Sequence, residues 1–397
     1  MMEMKDLFDP GHVDRRGTDC LKYDFAAERG QDADVLPLWV ADMDFPTVPA
    51  VAEALSERAL HGVFGYTEPK DGYYRAAADW FERHYGWRPE RSWFVKTPGV
   101  VFALAMAVRA YTREGDAVLI QQPVYYPFRE VIETNGRRLA DNELVLRDGR
   151  YEMDLEDLER KLREERVRLM FLCSPHNPVG RVWSRAELES VAELCVRYDV
   201  ILAADEIHCD FVFPGHTFVS TGTLGGAVRE RLLICTAPSK TFNLAGLQDS
   251  NIFVPNTELR RKLRAAITAA GYSQLNTMGL LACRVAYEEG EEWLRGLNAY
   301  LYENLLFLKD YLERNLPQVR LIEPEGTYLA WLDFGATGLS GRALDDLISK
   351  RAKLWLDGGS MFGGDSGRFQ RINIACRREL LAEALDRLAG AVRAVLP

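Results

Sequence analysis

The sequence predicts an α/β protein with a mostly parallel sheet covered by helices on both faces, followed by a smaller α+β domain. Two features predict it. Between about residues 92 and 255, apolar runs of strand length alternate with helical patterns. After Tyr272 that rhythm stops, and long stretches rich in Leu, Tyr, Glu and Arg lead into short alternating runs. Strand–helix alternation marks a parallel sheet because each parallel pairing needs a crossover connection, most often a helix.

The first strand-like run, WFVKT (93–97), gives way to a helical pattern through Lys96-Thr97-Pro98-Gly99-Val100-Val101. Gly99 permits close backbone approach there, and a helix beginning at Val100 offers free N–H groups suited to a phosphate. Pro98-Gly99 reads equally as an ordinary turn. AVLIQQ (117–122), RLMFLC (168–173), VILAAD (200–205), RLLICT (231–236) and NIFVP (251–255) follow as strands. Between them, 154–165 sets Leu155, Leu158 and Leu162 at helical spacing, and Ser184-Arg185-Ala186-Glu187 reads as a capping box. Further on, 281–316 reads as one or two long helices, 327–334 and 371–376 as strands, and 379–395 as a closing helix. No internal repeat, low-complexity tract or Pro/Ser-rich linker interrupts the chain.

The 397 residues are 47% hydrophobic and 27% charged, the balance of a soluble globular protein with a large core. A net charge of −10 argues against a nucleic-acid partner, which calls for a basic face. MMEMKDLFDPGH lacks a cationic segment followed by an apolar core, so no signal peptide is expected. The longest apolar run, near 100–108, stops at Arg109, short of the ~18 residues a membrane span requires. Seven cysteines without a Cys-x-x-Cys pair lie mostly in apolar runs. They read as buried thiols in a reducing cytoplasm, with no disulfide framework or metal site.

Three polar groups end strand-like runs: Asn177 in Ser174-Pro175-His176-Asn177-Pro178-Val179-Gly180, Asp205 in Asp205-Glu206-Ile207-His208, and Lys240 in TAPSKTFNLAGLQ. Separations of 28 and 35 residues leave room for crossover helices. Ligands of open parallel sheets sit at the carboxyl ends of the strands, so these three groups are placed to meet one small molecule. Singly, each has a bland reading: a solvated surface lysine, a helix-capping aspartate, an Asn-Pro turn.

This constellation resembles the fold-type I pyridoxal-phosphate enzymes of the class I/II aminotransferase superfamily, over nearly the whole chain. The resemblance implies a mostly parallel seven-stranded sheet sandwiched by helices. It further implies an N-terminal segment (1–45) packed with a small C-terminal domain (286–397), and a large cofactor-binding domain (46–285). Lys240 would form the Schiff base with the cofactor aldehyde, Asp205 would face the pyridine nitrogen, and Asn177 would donate to the phenolic oxygen. A nearby carboxylate keeps the ring nitrogen protonated and the ring electron-accepting. The phosphate would rest on Gly99, Val100 and Ser239. Ala237 and Gln248 depart from the serine and arginine that many relatives carry for it.

In Phe64-Gly65-Tyr66 the resemblance places a tyrosine that reaches a neighbouring subunit's phosphate, which implies an obligate homodimer with shared sites; the other reading of Tyr66 is a core tyrosine near a turn. Tyr125, in Pro123-Val124-Tyr125-Tyr126, could stack on the cofactor, and adjacent Tyr126 competes for that role. His208 stands where many relatives have a tyrosine that touches the phenolic oxygen. Arg371 in Arg371-Ile372-Asn373-Ile374-Ala375 resembles the arginine that grips a substrate carboxylate through a bidentate fork.

LWVADMDFP (38–46), PHNPVGRVW (175–183) and Asp205-Glu206-Ile207-His208 resemble the cystathionine β-lyase/C–S lyase group, some of whose members also regulate transcription by binding another protein. The implied reaction is α,β-elimination of an amino-acid substrate, cystathionine or a related L-cysteine thioether, with an aminotransferase as the alternative. No residue in the sequence decides between them, since both begin with the same proton abstraction. No Gly-x-Gly-x-x-Gly follows any strand, which argues against a nicotinamide dehydrogenase. The intact lysine, aspartate and asparagine set argues against a purely regulatory protein.

Overall fold

The computed structural model describes Phe8 and residues 13–395, so the reading of the extreme N-terminus lies almost wholly outside the described residues. The main sheet has seven strands, in the spatial order Phe94–Thr97, Ser250–Phe253, Leu232–Thr236, Ile201–Asp205, Val167–Cys173, Ala117–Ile120 and Arg138–Asp141. All pairings are parallel except those of Ser250–Phe253, which runs antiparallel to both neighbours. The six expected runs are all in this sheet. The seventh, Arg138–Asp141, is a four-residue edge strand with charged ends, which blunts an edge and hides its apolar pattern.

The central strands are continuously apolar because both faces are covered. Side chains alternate across the sheet: Leu169, Phe171 and Cys173 join one core, Met170 and Leu172 the other. Helices Val100–Tyr111 and Thr257–Ala269 contribute to the first core; Leu155–Glu164 and Arg185–Arg197 contribute to the second. The capping box is present, with the Ser184 side chain accepting from Glu187 N and the Glu187 carboxylate accepting from Ser184 N. Asp154 caps the preceding helix by accepting from Asp157 N.

The stretch 281–316 belongs to two helices, Thr277–Glu289 and Glu291–Asn315, parted at Gly290. A side chain at Gly290 would strike the Ala286 carbonyl and the Phe242 ring, so close approach demands glycine there. A second, four-stranded antiparallel sheet follows, in the order Arg320–Ile322, Leu329–Asp333, Phe369–Asn373 and Asp357–Gly358. The N-terminal pair Leu36–Pro37 aligns parallel with Leu354–Trp355, so the start of the chain is tied to this later part. Six of the seven cysteines are free and buried, and Cys20 is half-buried. Among the described residues there is no metal-binding cluster and no helix long and apolar enough to cross a membrane.

Candidate active site

The sheet register brings the predicted strand-end groups together. Cys173 pairs with Asp205 and Asp205 with Cys235, so the strands carrying Asn177, Asp205 and Lys240 end level with one another. Asp205 N-terminates nothing; its Oδ1 accepts from Ile207 N at 3.1 Å. Burial pushes this carboxyl up to about 7, against the opposing pull of the Ile207 amide and of Lys240. A buried carboxylate with so little compensation calls for a cationic partner.

Lys240 lies in the single turn Pro238–Thr241, and its Nζ donates to Ala41 O at 2.6 Å. Burial lowers its ammonium to about 8; Asp42 and Asp205 oppose that shift, while Arg371 reinforces it. The result is an amine that gives up its proton far more readily than a surface lysine. His208 is buried and Nδ1 has no partner. Burial first, then the fields of Lys240 and Arg371, drives its pKa well down, so the imidazole is neutral.

Arg371, also buried, donates from Nη1 to Asn177 Oδ1 at 3.0 Å and from Nη2 to Trp39 O at 2.9 Å, and it pairs with Asp357. Its Nε is buried without a partner. Tyr125 is half-buried. Burial raises its phenol strongly, and the fields of both Arg371 and Asp205 reach it. Tyr126 instead lines an outer cavity with Trp39 and Asp357, which separates the two adjacent tyrosines.

At the proposed phosphate position, the helix Val100–Tyr111 starts without a side-chain cap and without an acidic first-turn residue. Gly99 has extended backbone, and a Cβ there would meet nothing within 4 Å, leaving open space before the free amides. The Val100 side chain is buried in the core, so its contribution is its backbone N–H. Ser239 is half-buried, and Ser174 has a buried hydroxyl without a partner. Ala237 is buried and Gln248 is exposed.

Tyr66 is 91% exposed, which rules out the core reading for it. It stands with exposed Leu60, Val63 and Phe64 at and beyond the end of the helix Pro49–His61.

Several contributors escaped the sequence reading. The carbonyls of Trp39 and Ala41 accept from Arg371 and Lys240, and no side-chain pattern announces a backbone acceptor. Tyr328 donates to the same Ala41 O at 3.0 Å and meets the His208 ring edge-on, 5.6 Å between centroids. Asp357 sits directly opposite Arg371 across two antiparallel strands, a neighbour that no local sequence pattern announces. The broader hollows, about 780 Å³ beside Asp210 and about 670 Å³ beside Asp141, do not include Lys240 or Asp205 in their walls.

Orphaned polar atoms, a desolvated lysine, an uncompensated carboxyl and an open helix terminus together fit a planar, anionic cofactor with a basic ring nitrogen. Comparison with known proteins agrees. The aminotransferase class I and II family matches residues 33–388. The chain is 41% identical to cystathionine beta-lyase PatB of Bacillus subtilis, covering 96% of this chain and 98% of that one. It is 33% identical to protein MalY of Escherichia coli over the same shares. Cystalysin from Treponema denticola, which contains pyridoxal 5'-phosphate, superposes with a TM-score of 0.94 at 34% identity, covering 98% of this chain and 99% of that one. The chain belongs to the class I and II aminotransferase family.

Proposed function

We propose that the protein is a pyridoxal-phosphate-dependent carbon–sulfur β-lyase that cleaves cystathionine or a related L-cysteine thioether, with water, to a thiol, pyruvate and ammonia. The observation that carries this reading is the convergence of Lys240, Asp205, Asn177 and Arg371 in a chain 41% identical to a cystathionine β-lyase over nearly its full length. When bound, pyridoxal phosphate supplies an electron sink for charge developing at the substrate Cα.

Asp205 would hold the ring nitrogen, Asn177 and His208 the phenolic oxygen side, and Tyr125 a ring face. The amides at Gly99 and Val100, with Ser239, would hold the phosphate. Arg371 grips the substrate α-carboxylate, and Asn177 keeps the guanidinium in place. Lys240 would anchor the cofactor at rest, and its Nζ would take the substrate Cα proton, a role that its lowered pKa suits.

The exposed Leu60, Val63, Phe64 and Tyr66 support a homodimer in which Tyr66 reaches the neighbour's phosphate. Buried free thiols support a cytoplasmic location. The chain divides near residues 45 and 285 into an N-terminal segment, a large domain and a small one. The test is to supply L-cystathionine and follow thiol and pyruvate. Keto acid and pyridoxamine phosphate without thiol would instead establish the aminotransferase.

A further inference from the structure

Arg371 is already held by a carboxylate of its own chain. Asp357 faces it across the strand pair, is 5% exposed, and takes an Nη2 hydrogen with Oδ2. The other Nη2 hydrogen goes to Trp39 O. A guanidinium grips a carboxylate bidentately either through Nε and Nη2 or through Nη1 and Nη2. Both forks need an Nη2 hydrogen, and both of those hydrogens are engaged, while Nε waits unpartnered. A substrate carboxylate therefore has to displace something, and a flexible side chain yields more easily than the Trp39 backbone.

The displaced carboxylate has a place to go. Asp357 lines a cavity of about 570 Å³ with Trp39, Trp355, Tyr126 and Arg29. The Trp39 and Trp355 rings stack at 4.4 Å, and Arg29 lies over Trp39 at 5.2 Å without a carboxylate partner among the described residues. Arg129, Glu130 and Glu133 also line the cavity, with Arg129 paired to Glu133 at 2.9 Å, so it offers the buried Asp357, an aromatic wall, and in Arg29 a cation not engaged by a carboxylate among the described residues.

We propose that Asp357 is an internal carboxylate that occupies Arg371 until substrate replaces it, and that it then pairs with a cationic group on the substrate's distal arm. This deepens the lyase reading and rests on it: the favoured substrates are L-cysteine thioethers whose far end carries an ammonium for Asp357 and a carboxylate for Arg29. Binding transfers Asp357 from one cation to another, so an ammonium-bearing arm offsets the loss of the resting pair. A neutral arm leaves a desolvated carboxylate unpaired.

The test uses the holoenzyme and two thioethers that differ only in the distal ammonium, L-cystathionine and S-(3-carboxypropyl)-L-cysteine. The wild type is expected to favour L-cystathionine by about tenfold or more in kcat/KM, the scale of one buried charge pair. In Asp357→Asn the gap should shrink to about threefold or less, and the KM for S-(3-carboxypropyl)-L-cysteine should fall as the arginine is freed. Equal use of the two by the wild type, or an unchanged gap in Asp357→Asn, overturns the proposal. The wild-type comparison decides alone if the variant fails to fold. Should neither compound yield thiol while both serve as amino donors, the lyase reading fails and the same pair, scored by keto acid, still tests Asp357.

Discussion

Replacing Asp205 with Asn should stabilise the cofactor-free protein while abolishing its capacity to hold the cofactor productively. The carboxyl is buried and pushed from 3.8 up to about 7, with burial as the largest cause. Three pKa units at about 1.4 kcal/mol each give a ceiling of ~4 kcal/mol for the penalty on the ionised form. Relaxation and water entry around a buried charge reduce such penalties by about half, leaving ~2 kcal/mol. The sign follows from proton counting. Between the unfolded value near 3.8 and the folded value near 7, the folded state binds more protons than the unfolded one. Stability of the cofactor-free protein therefore falls as pH rises through that window, and the full penalty stands above it.

Asparagine keeps an oxygen for the Ile207 amide and carries no charge, so it escapes the penalty. Denaturation of cofactor-free wild type and Asp205→Asn, followed from pH 4 to 8, should give curves that meet near pH 4. They should diverge by ~2 kcal/mol at pH 8 in favour of the variant. With pyridoxal phosphate added, the order should reverse, because only the wild type gains a cationic partner for a carboxylate. A cofactor-free variant less stable than wild type at pH 8, or a gap that does not change with pH, would refute the reasoning.

Because burial lowers Lys240 to about 8, capture of pyridoxal phosphate by the cofactor-free protein should accelerate with pH and reach its half-maximum near 8. Stopped-flow absorbance would read this, and a half-maximum near the ordinary lysine value of 10.5 would contradict it. Arg371→Lys keeps the charge but loses the fork, so kcat/KM should fall ~100-fold or more, mostly through KM, as a substrate titration would measure. Asp44→Ala leaves Lys22, which is fully buried, without its 2.9 Å partner; thermal denaturation should report a loss of ~3 kcal/mol or more. Phe64→Asp should shift the protein toward a monomer in sedimentation and depress activity if Tyr66 serves a neighbouring site.

Much of the fold was legible because the central strands are buried on both faces and so read as unbroken apolar runs. The edge strand Arg138–Asp141 was not, since only Leu139 and Ala140 are apolar and pairing on one side supplies the rest. In the site, Asn177, Asp205 and Lys240 stood out as polar residues at the ends of strand-like runs, and Arg371 as the opening residue of the run Arg371-Ile372-Asn373-Ile374-Ala375. Asp357 did not. Its meaning comes from a cross-strand neighbour 14 residues away in sequence, and a pairing register cannot be read from composition. The Tyr66 alternatives separated only on exposure, which depends on how the segment after the helix Pro49–His61 leaves the body of the chain.

The motif LWVADMDFP shows why some irregular segments are as legible as strands. Residues 39–45 form no regular ladder, yet their carbonyls are taken by side chains from distant parts of the chain. Trp39 O accepts from Arg371, and Ala41 O from Lys240 and Tyr328. Asn373 donates to Val40 O and Asp42 O, and Asn243 to Met43 O and Phe45 O. Buried backbone that lacks secondary structure must be satisfied in some such way. Each donor therefore depends on this one backbone path, and the path on each donor. Arg15 and Lys22 anchor the same segment through Asp42 and Asp44, extending the dependence to residues before it. A shift of this segment would move the acceptor of Lys240 and the acceptor of Arg371 together. Lys240 and Arg371 are thus coupled through seven residues of irregular backbone, and substitutions at Asn243 or Asn373 should disturb both at once.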